Sequence, residues 1–237
     1  MKWECLKKHS HFAIKNKERD YMGEIFNLDN KFFQAIGKLV DCVGLSVLWL
    51  LCCIPVVTAG AATTALYYAV NKVIRHGRSY VWREYWHAFR SNFKQSTIVW
   101  LITLAITLFL AWDCYIMYQY ALAGQGIGRL YIVFVVLIAL FVMWANYLFP
   151  YIARFENTTK AIFKNALYIS VANMPKTIIM FVILLATLLL TYLAPYAIMI
   201  LPAGYMFVIN LLMEKVFRKY MTEEDIAAEE ERNADSY

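Results

Sequence analysis

Charge is what this sequence most lacks, and it lacks it in blocks. From Thr177 to Met213 there is no Asp, Glu, Lys, Arg or His, a run of 37 residues. Between Thr97 and Tyr131 the ionisable acids and bases, Cys and Tyr aside, are Asp113 and Arg129. Charged residues make up 17% of the chain, against about 25% in an average soluble domain. A soluble core helix has no use for so long an uncharged run, whereas a membrane hairpin requires one. These absences exclude an ordinary water-soluble fold.

Chemistry-bearing motifs are missing as well. Cys5, Cys42, Cys52, Cys53 and Cys114 contain no C-x-x-C pair, so they read as small buried thiols rather than as metal or redox ligands. There is no G-K-[ST], G-x-S-x-G or H-E-x-x-H. His9 and His11 form an H-x-H with no Cys or carboxylate at ligand spacing, and His76 and His87 stand alone. The string GQGIG at 124–128 lacks a preceding strand and the spaced third glycine of a nucleotide loop, and is expected to be a turn. No catalytic residue, cofactor or metal is therefore expected, the chain is not read as an enzyme, and nucleic acid is not an expected partner. The first 35 residues carry seven Lys or Arg and no apolar h-region. Insertion is thus expected to use the first membrane helix as an uncleaved signal.

Helix arithmetic predicts the architecture. A bilayer core of about 30 Å takes about 20 helical residues. Thr177–Met213 must therefore fold back, and Ala194-Pro195 is the expected break because proline offers no N–H. That predicts passes over Thr177–Leu193 and Tyr196–Met213, the second kinked by Pro202 and Gly204. Ile36–Ile74 is likewise read as two passes, Ile36–Ile54 and Thr58–Ile74, around the string IPVVTAGAATTAL. Thr97–Tyr118 and Leu130–Phe149 complete the set, the latter ending at Pro150. The prediction is an all-α polytopic transmembrane bundle of about six passes in three hairpins.

Positive charge supports that count. With the amino terminus cytoplasmic, segments 1–38, 72–95, 150–176 and 214–237 hold 22 of the 23 Lys and Arg, and the outer loops hold Arg129. This is the bias expected of a plasma-membrane protein with both termini cytoplasmic. The domain boundaries follow: a polar extension at 1–21, the membrane domain at 22–220, and a tail at 221–237 whose stretch from Thr222 has seven acids and one Arg.

Three segments read as amphipathic helices lying at the lipid headgroups before a hairpin. In Tyr80–Lys94, Trp82, Tyr85, Trp86, Phe89 and Phe93 share one face, and Arg83, His87, Arg90 and Lys94 the other. Thr158–Ala172 sets Ile162, Phe163, Ala166 and Leu167 against Lys160, Lys164 and Asn165, and Phe26–Lys38 is a fainter version. Asn92 and Asn173 precede their passes at similar points, a hint of a threefold repeat. Trp82, Arg83, Trp86, Arg90 and Lys94 are the candidate interfacial or partner surface.

Ionisable and amide groups inside the passes are the remaining clues. Asp41 lies three residues from Lys38, within reach of a local pair. Asp113 is either the anchored outer end of its helix or a cation or proton site. Asn146 and Asn210 are expected to hydrogen-bond between helices.

The strings FNLDNKFFQAIGKLVD (26–41), VLWLLCCIPVVTAGAATTALYY (47–68), WHAFRSNFKQSTIVWLI (86–102) and RFENTTKAIFKNALYISVANMP (154–175) resemble the YesL family of small bacterial multi-pass membrane proteins, above all in the turn P-x-x-T-x-G-A-A. The resemblance runs from about Met22 to Lys219, with Met22-Gly23 matching the M-G-x-x-F at which members begin. It implies membrane residence and company with bacterial carbohydrate uptake, and it supplies no catalytic residues. Two functional expectations stand beside each other. One is an accessory or assembly protein that contacts the bilayer and a carbohydrate transporter or sensor subunit. The other is a small-solute transporter or channel, in which Trp100, Trp144 and Asn146 would bind sugar.

Overall fold

The computed structural model describes residues 31–75 and 80–221, with Glu223 and Ile226 beyond them. The extension 1–21, the Met22 start, His9, His11, His76, residues 26–30 of the Phe26–Lys38 segment and nearly all of the acidic tail lie outside the described residues. The chain divides into two units, Met1–Val40 and Asp41–Tyr237. Of the first, residues 31–40 are described, and they are helical. All packing below concerns the second unit.

Every described element is helical: α1 (Lys31–Cys53), α2 (Ala59–Ala69), α3 (Val81–Leu122), α4 (Tyr131–Arg154), α5 (Thr159–Ala172), α6 (Met174–Leu193) and α7 (Leu201–Phe217). Four helical spans among the described residues are long and apolar enough to cross a membrane: Ile36–Cys53, Val81–Leu122, Gly126–Arg154 and Met174–Leu193. The other two expected passes correspond to α2 and α7, which are shorter. With the π turn Val70–Arg75 that prolongs it, α2 reaches about 25 Å, less than the bilayer core. Its neighbours are protein rather than lipid. Gly60, Ala61, Ala62, Thr64, Ala65, Leu66, Tyr67 and Ala69 are all buried. A helix enclosed by others needs small side chains for close approach, and that is why this span reads as weakly hydrophobic.

The turn between α1 and α2 explains its own sequence. Pro55 lies just beyond the end of α1, and the Thr58 hydroxyl donates to the carbonyls of Cys52 and Pro55, which satisfies acceptors orphaned at a helix end. Trp100 of α3 donates its indole N–H to Val56 O at 2.7 Å. At Gly60, a Cβ would collide with Trp100 Cβ and lie 2.6 Å from Ser96 O. Proline, threonine and glycine of the P-x-x-T-x-G-A-A string thus stop α1, cap it and bring α2 against α3, where Thr64 and Ser96 share a buried hydrogen bond of 2.9 Å.

Three expectations need correction. The segment Tyr80–Lys94 is not a separate helix before a pass: it is the first part of α3, which runs 42 residues unbroken, about 63 Å by helical rise. No Gly or Pro interrupts 81–122. By contrast α5 and α6 are separate helices that meet at Asn173, just before Pro175, so the two supposed repeat copies differ. Pro150 does not end α4, which continues to Arg154. Membrane helices tolerate such a proline because neighbouring groups compensate for the lost bond. Pro202 does not kink a pass either, since it sits in the first turn of α7, where its missing N–H is harmless. The break at Ala194-Pro195 is found as expected, followed by a 3-10 turn at Pro195–Met199.

The α3–α4 connection is the turn predicted for GQGIG. Gly124 takes a positive φ of 75°, a region costly for other residues. A Cβ on Gly128 would run into the backbone of Ala121.

Candidate functional site: a buried ion-pair network at the charged end

The start of α3, the end of α4, the start of α6 and the end of α7 meet at one end of the bundle. Gln95 of α3 donates to Asn157 O just past α4, Arg154 closing α4 pairs with Glu214 of α7, and Asn173 before α6 donates to Tyr220 OH at 3.1 Å. Among the described residues most of the cationic side chains lie here, so it is called the charged end.

Two carboxylates are buried within it. Glu214, with its side chain 3% exposed, pairs with Arg154 at 3.3 Å. It also accepts from Tyr67 OH and Asn71 Nδ2, each at 3.2 Å. Glu84 of α3, 8% exposed, pairs with Lys72 at 2.8 Å. The Lys72 ammonium also donates to Tyr68 OH at 3.4 Å and lies 5.5 Å from the centre of that ring.

The register of α2 produces this layout. Tyr67 and Asn71 stand four residues apart and face Glu214, while Tyr68 and Lys72, four apart on the adjoining strip, meet each other, and Lys72 reaches Glu84. Two neighbouring i,i+4 pairs thus serve carboxylates from two other helices. Asn71 and Lys72 both belong to the π turn, a feature that often marks functional positions.

Burying an ion away from water costs several kcal/mol unless it is paired and hydrogen-bonded. Each carboxylate here has a cation, and Glu214 has two further donors, so the two pairs are neutral as a whole. It joins α2, α3, α4 and α7. Its chemistry is that of a lock rather than of an acid–base pair, because Glu214 has both oxygens engaged. Among the described residues no group of three or more His, Cys, Asp or Glu is placed to hold a metal.

The residues singled out from sequence fall elsewhere. Trp82 is 63% exposed, and Arg83, Arg90 and Lys94 are exposed too. Trp86 is half-buried, packed on Trp82 and Phe89 at 5.9 and 5.3 Å between ring centres, with the Arg90 guanidinium 6.0 Å from its ring. Tyr85, expected on that aromatic face, is instead in the core, as is Ala88. The expected α5 face is also divided. Ile162 and Ala166 pack inward, while Leu167, Tyr168 and Val171 are exposed.

Asp41 and Asp113 are half-buried, on α1 and in the far half of α3. Asn146 accepts from Tyr205 OH at 3.0 Å, an interhelical bond as expected. Its Nδ2 is buried with no partner among the described residues. Asn210 is fully buried in α7. Of the groups expected to bind sugar, Trp100 has its N–H committed to Val56, and Trp144 packs between Phe141 and Phe163 with its N–H buried and without a partner among the described residues. These groups are not gathered with Asp113 into one polar site.

Sequence reasoning passed over Glu84, Glu214, Lys72 and Arg154. A signal was present. Glu84 is the sole acid between Asp41 and Asp113, and Glu214 is the first charge after the 37-residue uncharged run. An acid so isolated among bases and apolar residues needs a specific partner.

Comparison with known proteins reaches part of this region. A family described as "Protein of unknown function, DUF624" matches residues 42–114. That stretch includes the P-x-x-T-x-G-A-A turn, all of α2, Lys72 and Glu84. Arg154 and Glu214 lie outside it. No curated protein and no solved structure matches the chain. Residues 42–114 are therefore similar to the DUF624 family, of which YesL proteins are members.

Proposed function

We propose that this chain is a plasma-membrane protein of six passes, paired as three hairpins α1–α2, α3–α4 and α6–α7, with both termini cytoplasmic and the charged end at the inner leaflet. In this reading it acts as an accessory or assembly component of bacterial carbohydrate uptake and contacts a transporter or sensor subunit, and it is not an enzyme. One observation carries the accessory role: the buried charges are spent on holding helices together, Arg154, Tyr67 and Asn71 on Glu214 and Lys72 on Glu84. Arg83, Arg90 and Lys94 are left exposed for a partner. The carbohydrate context comes from the YesL resemblance.

The test is crosslinking in native membranes followed by mass spectrometry. A transporter subunit is expected among the products, with recovery reduced by Arg83→Glu and Arg90→Glu together. Reporters after Lys94, Lys176 and Met221 are expected to read cytoplasmic, and one within 124–128 external. A second reading, a small-solute transporter, draws on the unpartnered Asn146 Nδ2 and Trp144 N–H. Saturable sugar flux by the purified chain in liposomes, lost in Asn146→Leu, would establish that reading and sink the first.

A further inference from the structure

At the α6–α7 side of the charged end, lysines from two helices converge. The Tyr220 hydroxyl accepts from Asn173 Nδ2 at 3.1 Å, and its ring meets that of Tyr168 at 6.3 Å. These contacts fasten the 3-10 turn Arg218–Tyr220 to the α5–α6 junction. Lys219 belongs to that turn, Lys215 lies one helical turn before it, and Lys176 one turn after Asn173. The Asn173–Tyr220 bond brings the turn that holds Lys219 beside the start of α6, three residues before Lys176. Lys215 and Lys219 are exposed, and Lys176 is half-exposed. The adjoining carboxylate, Glu214, is turned into the core against Arg154.

The surface that leads from these lysines toward the far end is apolar. On α6, Ile179 is exposed one turn beyond Lys176. On α7, Leu211 and Val208 are exposed one and two turns before Lys215. A cationic rim above an apolar strip on an antiparallel helix pair matches an amphiphile whose anionic head is joined to hydrocarbon chains. Tyr168 and Tyr220, both exposed, stand at the level where aromatic hydroxyls are favoured.

We propose that Lys176, Lys215 and Lys219 form a headgroup site for an anionic phospholipid, whose acyl chains lie along Ile179, Leu211 and Val208. The inference rests on the membrane reading above, with the charged end at a headgroup layer. It does not require a partner protein or any particular transport activity.

The experiment is lipid titration of the purified full chain in uncharged detergent micelles, read by native mass spectrometry. The probes are phosphatidylglycerol and phosphatidylcholine. Phosphatidylglycerol is expected to bind in preference. Each lysine at an anionic surface is worth about 1 kcal/mol, so Lys215→Gln with Lys219→Gln should weaken phosphatidylglycerol binding about ten-fold or more. The conservative pair Lys215→Arg and Lys219→Arg should keep it. Lys160→Gln with Lys164→Gln removes the same charge from α5 and should leave binding nearly unchanged. Equal losses in the two glutamine pairs would mean diffuse charge and overturn the site, as would no loss in either. Displacement by millimolar inorganic phosphate, with no dependence on acyl chains, would show a free-anion site and overturn the lipid assignment. Orientation is checked separately by the reporter after Lys176, so failure of the topology and failure of the lipid site are distinguishable.

Discussion

The two halves of α3 teach different lessons about the same helix. From Glu84 to Thr103 it carries all of its buried residues: Glu84, Tyr85, Ala88, Ser96, Val99 and Thr103. From 104 to 122 it has none. The hairpin partner α4 mirrors this, with its buried residues confined to Tyr147–Ile152 near its end, and α6 buries Thr177 and Met180 near its start. The charged half is a packed core; the far half displays apolar side chains outward. In water that exposed area would be untenable, but lipid tails are as apolar as leucine. A membrane helix therefore gains little by exchanging lipid for protein, and association depends on small residues, close packing and polar pairs. The Gly60 contact, the Thr64–Ser96 bond and both buried ion pairs all sit in the charged half. The far half has the tight turn at Gly124 and Gly128.

Breaking an ion pair should separate the halves most sharply. Removing one partner of a buried pair costs about 3–5 kcal/mol, so Glu214→Ala should lower accumulation and the midpoint of thermal unfolding in micelles. Asp113→Asn in the far half should change stability by less than about 0.5 kcal/mol and so leave the midpoint nearly unmoved. The double variant Arg154→Met, Glu214→Met should recover much of the loss, because no ion is then left unpaired. Equal effects at Glu214 and Asp113 would erase the contrast.

Smaller effects follow from packing. Gly60→Ala places a methyl group against Trp100 and Ser96 O, and overpacking of this kind costs about 1–3 kcal/mol. Gly126→Ala, which meets nothing within 4 Å, is the matching far-end control. Ile209→Ala in the core is expected to cost about 2 kcal/mol, and Leu188→Ala on the outward surface under about 0.5 kcal/mol. The smallest difference concerns one hydrogen bond. Trp100→Phe removes the donor to Val56 O and should cost about 1 kcal/mol. All three comparisons are read from unfolding midpoints in one detergent.

Where a structural decision is local, residues announce it. The break at Pro195, the stop at Pro55 and the turn at Gly124 depend on backbone geometry within a few residues, and each lies where sequence places it. Proline alone was insufficient elsewhere. Pro150 and Pro202 belong to the interior of one helix and the first turn of another, and which of these holds depends on what packs around them. Continuity of α3 through Lys94 and Gln95 was hidden by a change of composition from amphipathic to apolar, which alters a helix's surroundings without interrupting its hydrogen bonds.

The sequence by itself determined that the chain is helical, that it is built for a membrane and that its charges gather at the ends of its helices. Hydropathy and charge act residue by residue, so those properties survive without knowledge of contacts. Only the tertiary structure decided that α2 is enclosed, that Tyr85 leaves the aromatic face for the core, and that Glu84 and Glu214 find Lys72 and Arg154. Glu214 meets Tyr67 across 147 residues of chain. Pairing at such separation is set by which helices lie side by side, and that choice depends on the close approach of α2 and α3 at Gly60, not on any pattern within either segment.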